Sequence, residues 1–317
     1  MRGAFFRALV EIAEQDERVH LVVGDLGFGV VEEFARRFPK RFLNAGVAEQ
    51  NMTGIAAGLA LSGKIVFTYS IANFPILRCL EQVRNDVCYH NTNVKIVAVG
   101  GGLAYGALGA THHATEDLAI LRSLPRMTVV APGDPVEAEA ATRAVTAHAG
   151  PCYLRLGRAG EGKVHQMPID FVLGKAIEMR RGRDLTLIST GGMLGTAMQT
   201  ADLLQAADVQ ARVLSMHTVK PLDTTAIESA VRETGAIFTL EEHSVVGGLG
   251  GAVAEFLAEN CEAPVVFKRF GLPSEFSSFI GSQEYIRARH GLAAEAVAHA
   301  IRAKLEKVEG LAAVAKV

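Results

Sequence analysis

Short apolar, β-branched runs alternate with helical patterns along almost the whole chain, and this rhythm constrains the fold more than any other feature. Strand–helix–strand repeats need crossovers, which favour largely parallel sheets covered by helices. In the first half the pattern predicts strands at Val19–Val23, Arg41–Leu43, Ile65–Tyr69, Val94–Val99, Thr128–Ala131 and Cys152–Leu156. Helices are expected between them at Val31–Phe38, Ala48–Ser62, Phe74–Tyr89, Glu116–Ser123 and Pro135–His148. The last is announced by Asp134 as N-cap and Pro135 at the first helical position. A polar, irregular stretch from Gly157 to Arg183 breaks the alternation. The expected organisation is an α/β domain over residues 1–160, a linker over 161–183 and a smaller α/β domain over 184–317. A chain of 317 residues suits two cores better than one.

Net charge is −2 with no basic block, so neither nucleic acid nor an anionic membrane is indicated as a partner. No run approaches the roughly 18 apolar residues of a membrane span. The first residues, MRGAFFRALVEIAEQDERV, read as an amphipathic helix and lack the uninterrupted apolar region of a signal peptide. Cys79, Cys88, Cys152 and Cys261 form no CxxC and no metal-ligand spacing, which fits small core residues in a reducing compartment. The cytoplasm is the expected location.

Several motifs carry chemistry beyond the fold. Glu49, in Asn44-Ala45-Gly46-Val47-Ala48-Glu49-Gln50-Asn51-Met52, sits at the predicted start of a long, small-residue helix. Alone it reads as a carboxylate favoured by the helix dipole. The turn Gly24-Asp25-Leu26-Gly27-Phe28-Gly29 matches neither GxGxxG nor GxxxxGK[ST], and is read as a close backbone approach. Gly54 and Gly58 line one stripe of the Glu49 helix, where each interior glycine costs about 1 kcal/mol, so close packing by another element is expected. The segment Gly100 to His113 follows a buried strand, where parallel sheets bind ligands, and His112 suits an acid/base or oxyanion-stabilising role. Isolated His20, His148 and His165 read as surface residues. Arg155 and Arg158 end the last strand of the first domain, as an anion fork or as exposed ion-pair partners. His217–Asp223 and Glu241–Gly251 read as strand-end loops with structural turn chemistry, although the second has the glycines to cradle an anion.

In this order, the segments GVAEQNM, SIANFPILRCLEQVRND, ALGATHHATEDLAILRSLPRMTVVAPGDPVE, HTVKPLD and EEHSVVGGLGGAV resemble the transketolase group of thiamine-diphosphate enzymes. The similarity covers nearly the whole chain but only the second half of the full-length enzymes. It implies a pyrimidine-binding domain followed by a transketolase C-terminal domain. It further implies that Glu49 hydrogen-bonds N1′ of the cofactor's aminopyrimidine, that Phe74 stacks on that ring, and that Ile71 packs beside it at a second position where the family carries an aromatic. His112 matches the residue that contacts the substrate's hydroxyls and reaction-centre oxygen. Arg158 matches a substrate-phosphate arginine, and Arg2 is a second candidate for that role. Gly100, Leu108 and Gly29 depart from the family's histidine, aspartate and serine, which suggests an unusual ketose.

The family's GDG…N segment, which holds Mg²⁺ and the diphosphate, has no counterpart here. The resemblance therefore implies the C-terminal subunit of a split transketolase, transferring a two-carbon ketol unit from an anionic ketose to an aldose. Its partner would be an N-terminal subunit carrying GDG…N, in an α2β2 assembly with the cofactor at the interface. The competing readings are a 2-oxoacid dehydrogenase β subunit and a non-catalytic regulatory subunit of the same fold.

Overall fold

The computed structural model describes residues 1–166, 168–262 and 264–314, with side chains to residue 307. The chain begins with α1 (Arg2–Gln15), β1 (Val19–Val23), α2 (Glu32–Arg37), β2 (Phe42–Asn44), α3 (Glu49–Leu61) and β3 (Ile65–Ile71). A short α4 (Leu80–Gln82) runs into a π-helical segment, Val83–Tyr89, before β4 (Val94–Val99), α5 (Asp117–Ser123), β5 (Thr128–Val130), α6 (Pro135–Ala147) and β6 (Cys152–Leu156). The second half comprises β7 (Ile177–Arg180), β8 (Leu185–Ser189), α7 (Leu194–Gln205), β9 (Ala211–Ser215), β10 (Thr218–Lys220) and α8 (Thr224–Glu233). It ends with β11 (Ala236–Ser244), α9 (Leu249–Asn260), β12 (Val266–Leu272), α10 (Gln283–Arg289) and α11 (Ala294–Val314).

The strands form two sheets, in the orders β10-β5-β6-β4-β3-β1-β2 and β12-β11-β8-β9-β7. All pairings are parallel except those of β10 with β5 and β7 with β9. Along β1, Leu21 and Val23 enter one core with α1, α2 and α6, whereas Val22 enters another with α3 and α5. Both faces of the large sheet are thus covered, which is why its strands read as continuous apolar runs. The second sheet is likewise sandwiched, between α7, α10 and α11 on one side and α8 and α9 on the other.

Three sequence expectations are revised, and the structural reading of a fourth segment is kept. The helix expected from Phe74 starts only at Leu80, the residues from Phe74 to Cys79 forming turns. Part of the stretch read as linker, Ile177–Arg180, forms an edge strand. His217–Asp223 contains β10, which crosses over to extend the first domain's sheet. The glycine-rich start of α9 is satisfied internally: Glu241 accepts from the N–H groups of Leu249 (2.7 Å) and Gly250 (2.8 Å). Those are donors a helix leaves unpaired, so the anion at this N-terminus is the protein's own carboxylate.

Candidate active site

In the large sheet the chain leaves β1 for the edge strand β2 and returns to β3 on the other side. That reversal opens a crevice at the carboxyl ends of β1 and β3, the usual ligand position in such sheets. Three segments converge there: the turn after β1, the start of α3 and the turn after β3.

Glu49 is the first residue of α3 and is 1% exposed. It packs beside Gly24, where a Cβ would meet Glu49 Cγ at 3.4 Å, an ordinary contact distance. Its Oε2 accepts from Arg78 Nη1 at 2.7 Å, while Oε1 is buried without a hydrogen-bond partner. A buried acceptor without a donor is costly and is normally satisfied. Glu49 Oε1 is therefore an acceptor suited to an external N–H donor.

Phe74 lies in the turn after β3, half-buried, with Arg78 Cζ 4.7 Å from its ring centroid. Ile71 ends β3 and packs against the core shared with α1 and α6. The His112 ring stands edge-on to Phe74 with centroids 5.5 Å apart, and its Nδ1 is 3.0 Å from Thr111 Oγ1. Its neighbour His113 is buried, and its carbonyl accepts from Asn73 Nδ2, tying this loop to the Phe74 turn. Of the adjacent histidines only His112 is presented to the crevice rim.

Arg158 follows β6, exposed, with its Cζ 5.0 Å from the Tyr105 ring centroid. Arg2 opens α1 beside Tyr69. Burial holds the Tyr69 phenol well above its usual range despite that guanidinium. Glu49, Arg78, Phe74, His112, Tyr105 and Arg158 thus form a continuous row, with Arg2 near Tyr105. Ile71 stands behind the row. Arg78 and Tyr105 were not singled out from sequence; the four-residue spacing from Phe74 was the available signal for Arg78.

Arg155 has a different role. It is buried, pairs with Asp117 through Nε (2.7 Å) and Nη2 (3.2 Å), and donates to the carbonyls of Ala114 and Glu242. Tyr153 Oη donates to the same Asp117 at 2.5 Å. It is a structural clamp between the halves of the chain. His165 is also buried, between Asp134 (3.2 Å) and Glu137 (3.5 Å), where the polar linker sequence had suggested a surface position. Gly54 and Gly58 have nothing within 4 Å of a Cβ position. Their stripe is open in this chain, next to Val47 (74% exposed) and Leu61 (65%). Among the described residues no three His, Cys, Asp or Glu side chains are grouped to hold a metal ion, and no helix is long and apolar enough to cross a membrane.

Residues 1–160 match the family profile for the transketolase pyrimidine binding domain, and residues 174–297 that for the transketolase C-terminal domain. A subunit of the apulose-4-phosphate transketolase of Phocaeicola vulgatus is 43% identical over 93% of this chain and 94% of that protein. The 6-deoxy-6-sulfo-D-fructose transketolase subunit SqwH of a Clostridium species is 39% identical over 97% of this chain and 95% of its own length. A solved split-gene transketolase, described as an inactive β4 tetramer, superimposes with a TM-score of 0.89 at 38% identity, covering 96% of this chain and 98% of that one. The chain belongs to the transketolase family.

Proposed function

We propose that this chain is the pyrimidine-side catalytic subunit of a two-chain, thiamine-diphosphate-dependent transketolase that moves a two-carbon ketol unit from an anionic ketose to an aldose. The observation that carries the reading is Glu49: a fully buried carboxylate at the sheet's reversal point, with one oxygen paired and the other left for a donor. The residues fit an aminopyrimidine. Glu49 Oε1 would share a proton with N1′, accepting from that nitrogen once it is protonated, Phe74 would stack on the ring, and Ile71 would pack beside the turn that carries Phe74. The cofactor, when bound, supplies a carbon nucleophile and an electron sink.

The chain's own residues do the rest. Glu49 holds the proton shared with N1′, and its burial excludes water that would compete for that bond. His112 stands at the rim with a nitrogen free of Thr111, placed to donate to the reaction-centre oxygen. Arg158 and Arg2 supply cationic charge for a terminal anion. Two relatives support an anionic ketose, since one is named for a sugar phosphate and the other for a sugar sulfonate.

A separate chain is assigned the diphosphate and Mg²⁺, in an α2β2 assembly. Support comes from relatives of matching length that are themselves named as subunits. The open Gly54–Gly58 face, with exposed Val47 and Leu61 beside the crevice, is apolar surface suited to a partner. Buried, unpaired Cys79, Cys88 and Cys152 agree with a cytoplasmic enzyme of carbohydrate metabolism.

The test is reconstitution with a GDG…N-bearing subunit and an assay of ketol transfer from ketose phosphates and sulfonates. Glu49→Gln is expected to lose two orders of magnitude or more, about the range for a positioned acid/base. Full activity in that variant, or turnover by this chain alone, defeats the proposal.

A further inference from the structure

Gly100 closes β4 with φ +80, and a Cβ there would overlap the ring of Tyr105. Tyr105 thus fills the space beyond the strand end that a side chain at position 100 would need. Its ring centroid lies 6.3 Å from that of His112, and the Arg158 guanidinium carbon lies 5.0 Å from it. Arg2 is close enough to act on the same phenol electrostatically. Burial raises the Tyr105 phenol above its usual range against the pull of both guanidiniums, so it keeps its proton at neutral pH. Among the described residues no side-chain hydrogen bond engages its hydroxyl. Leu108, 54% exposed on the same loop, offers no polar side-chain atom.

We infer that Tyr105 is a specificity-determining residue for the ketose. Its hydroxyl donates to the sugar oxygen between the carbonyl held at His112 and the anionic end held at Arg158 and Arg2. The inference rests on the transketolase reading above. The physical reason is directionality. Two exposed or half-exposed guanidiniums attract any terminal anion but discriminate poorly among the carbons between it and the carbonyl. A phenol O–H carried on a ring that lies between His112 and Arg158 imposes distance and angle. A site built to hydrogen-bond a substrate hydroxyl penalises an analogue that lacks it, because the donor is then left without a partner.

The test uses the reconstituted two-subunit enzyme with a 2-ketopentose 5-phosphate and its 4-deoxy counterpart as donors. The wild type is expected to prefer the hydroxylated donor by about tenfold or more in kcat/KM. In Tyr105→Phe that ratio is expected to fall close to one, through a rise in KM for the hydroxylated donor, with the thermal midpoint unchanged. Inhibition by the matching sugar-alcohol phosphate should weaken to a similar degree, while inhibition by inorganic phosphate stays as in the wild type. A wild-type enzyme indifferent to the 4-hydroxyl, or a Tyr105→Phe enzyme that slows equally on both donors, overturns the inference and leaves ketol transfer standing. A reconstituted wild type that transfers no ketol unit from any ketose overturns the functional reading and this inference with it.

Discussion

Arg78 bridges Glu49 and Phe74: its Nη1 is 2.7 Å from Glu49 Oε2, and its Cζ is 4.7 Å from the centroid of Phe74. One cation thus sets both the rotamer of the acid and the tilt of the ring. Replacing it by methionine leaves a buried carboxylate with neither oxygen paired inside the protein. Because Arg78 is half exposed, water takes over part of the role and the stability loss should be about 1 kcal/mol, read by urea unfolding. Arg78→Lys should recover the stability but not the stacking, so a cofactor-binding defect that persists in the lysine variant identifies the ring contact.

Asp117 is the shared acceptor for Arg155 and Tyr153, all three buried. Removing one member of a buried ion pair strands the other, which typically costs about 3–5 kcal/mol. Asp117→Ala should therefore lower the unfolding free energy by that amount. A loss within experimental error would show that the clamp is dispensable.

His217 is buried, stacked 3.8 Å from Phe171, and its Nε2 has no partner. Burial, helped by nearby His165, lowers its pKa to about 4, while Asp223 opposes the shift. A depressed histidine stabilises the fold while neutral in both states, and that contribution is lost as pH falls from the unfolded value, near 6.5, to about 4. About 3 kcal/mol is at stake over that window. Glu137, whose carboxyl burial pushes up, acts with the opposite sign in the same range. Asp134, held at about 2, contributes only at lower pH. Chemical denaturation from pH 7 to 4 should show His217→Phe losing less stability than the wild type; parallel curves would refute the assignment.

Gly54→Ala adds a methyl where nothing lies within 4 Å, so it should stabilise the isolated chain, by about 1 kcal/mol at most. Gly54→Arg should leave the isolated chain folded but weaken assembly with the partner subunit by tenfold or more, measured by analytical ultracentrifugation. Unchanged assembly would show that this face is not the interface.

Much of the architecture was legible in advance. The ends of β1, β4 and β6 and the capped start of α6 fall where period and punctuation put them, since apolar runs and an Asp-Pro start signal are local properties. The segments that departed from expectation were decided by distant contacts. Thr218–Lys220 becomes β10 only because Val129 and Val130 offer an edge to pair with. His165 is buried only because the fold brings its ring between the carboxylates of Asp134 and Glu137.

The same division runs through the candidate site. The order of motifs around Glu49, Phe74 and His112 identified the family and the chemistry those residues are suited to, because that information lies in residue identity and spacing. Which oxygen of Glu49 is free, that Arg78 holds the other, and that Tyr105 occupies the room above Gly100 were decided by tertiary structure. Each depends on side chains brought within a few ångströms by separate strand ends, and a linear pattern carries no record of distances across a sheet.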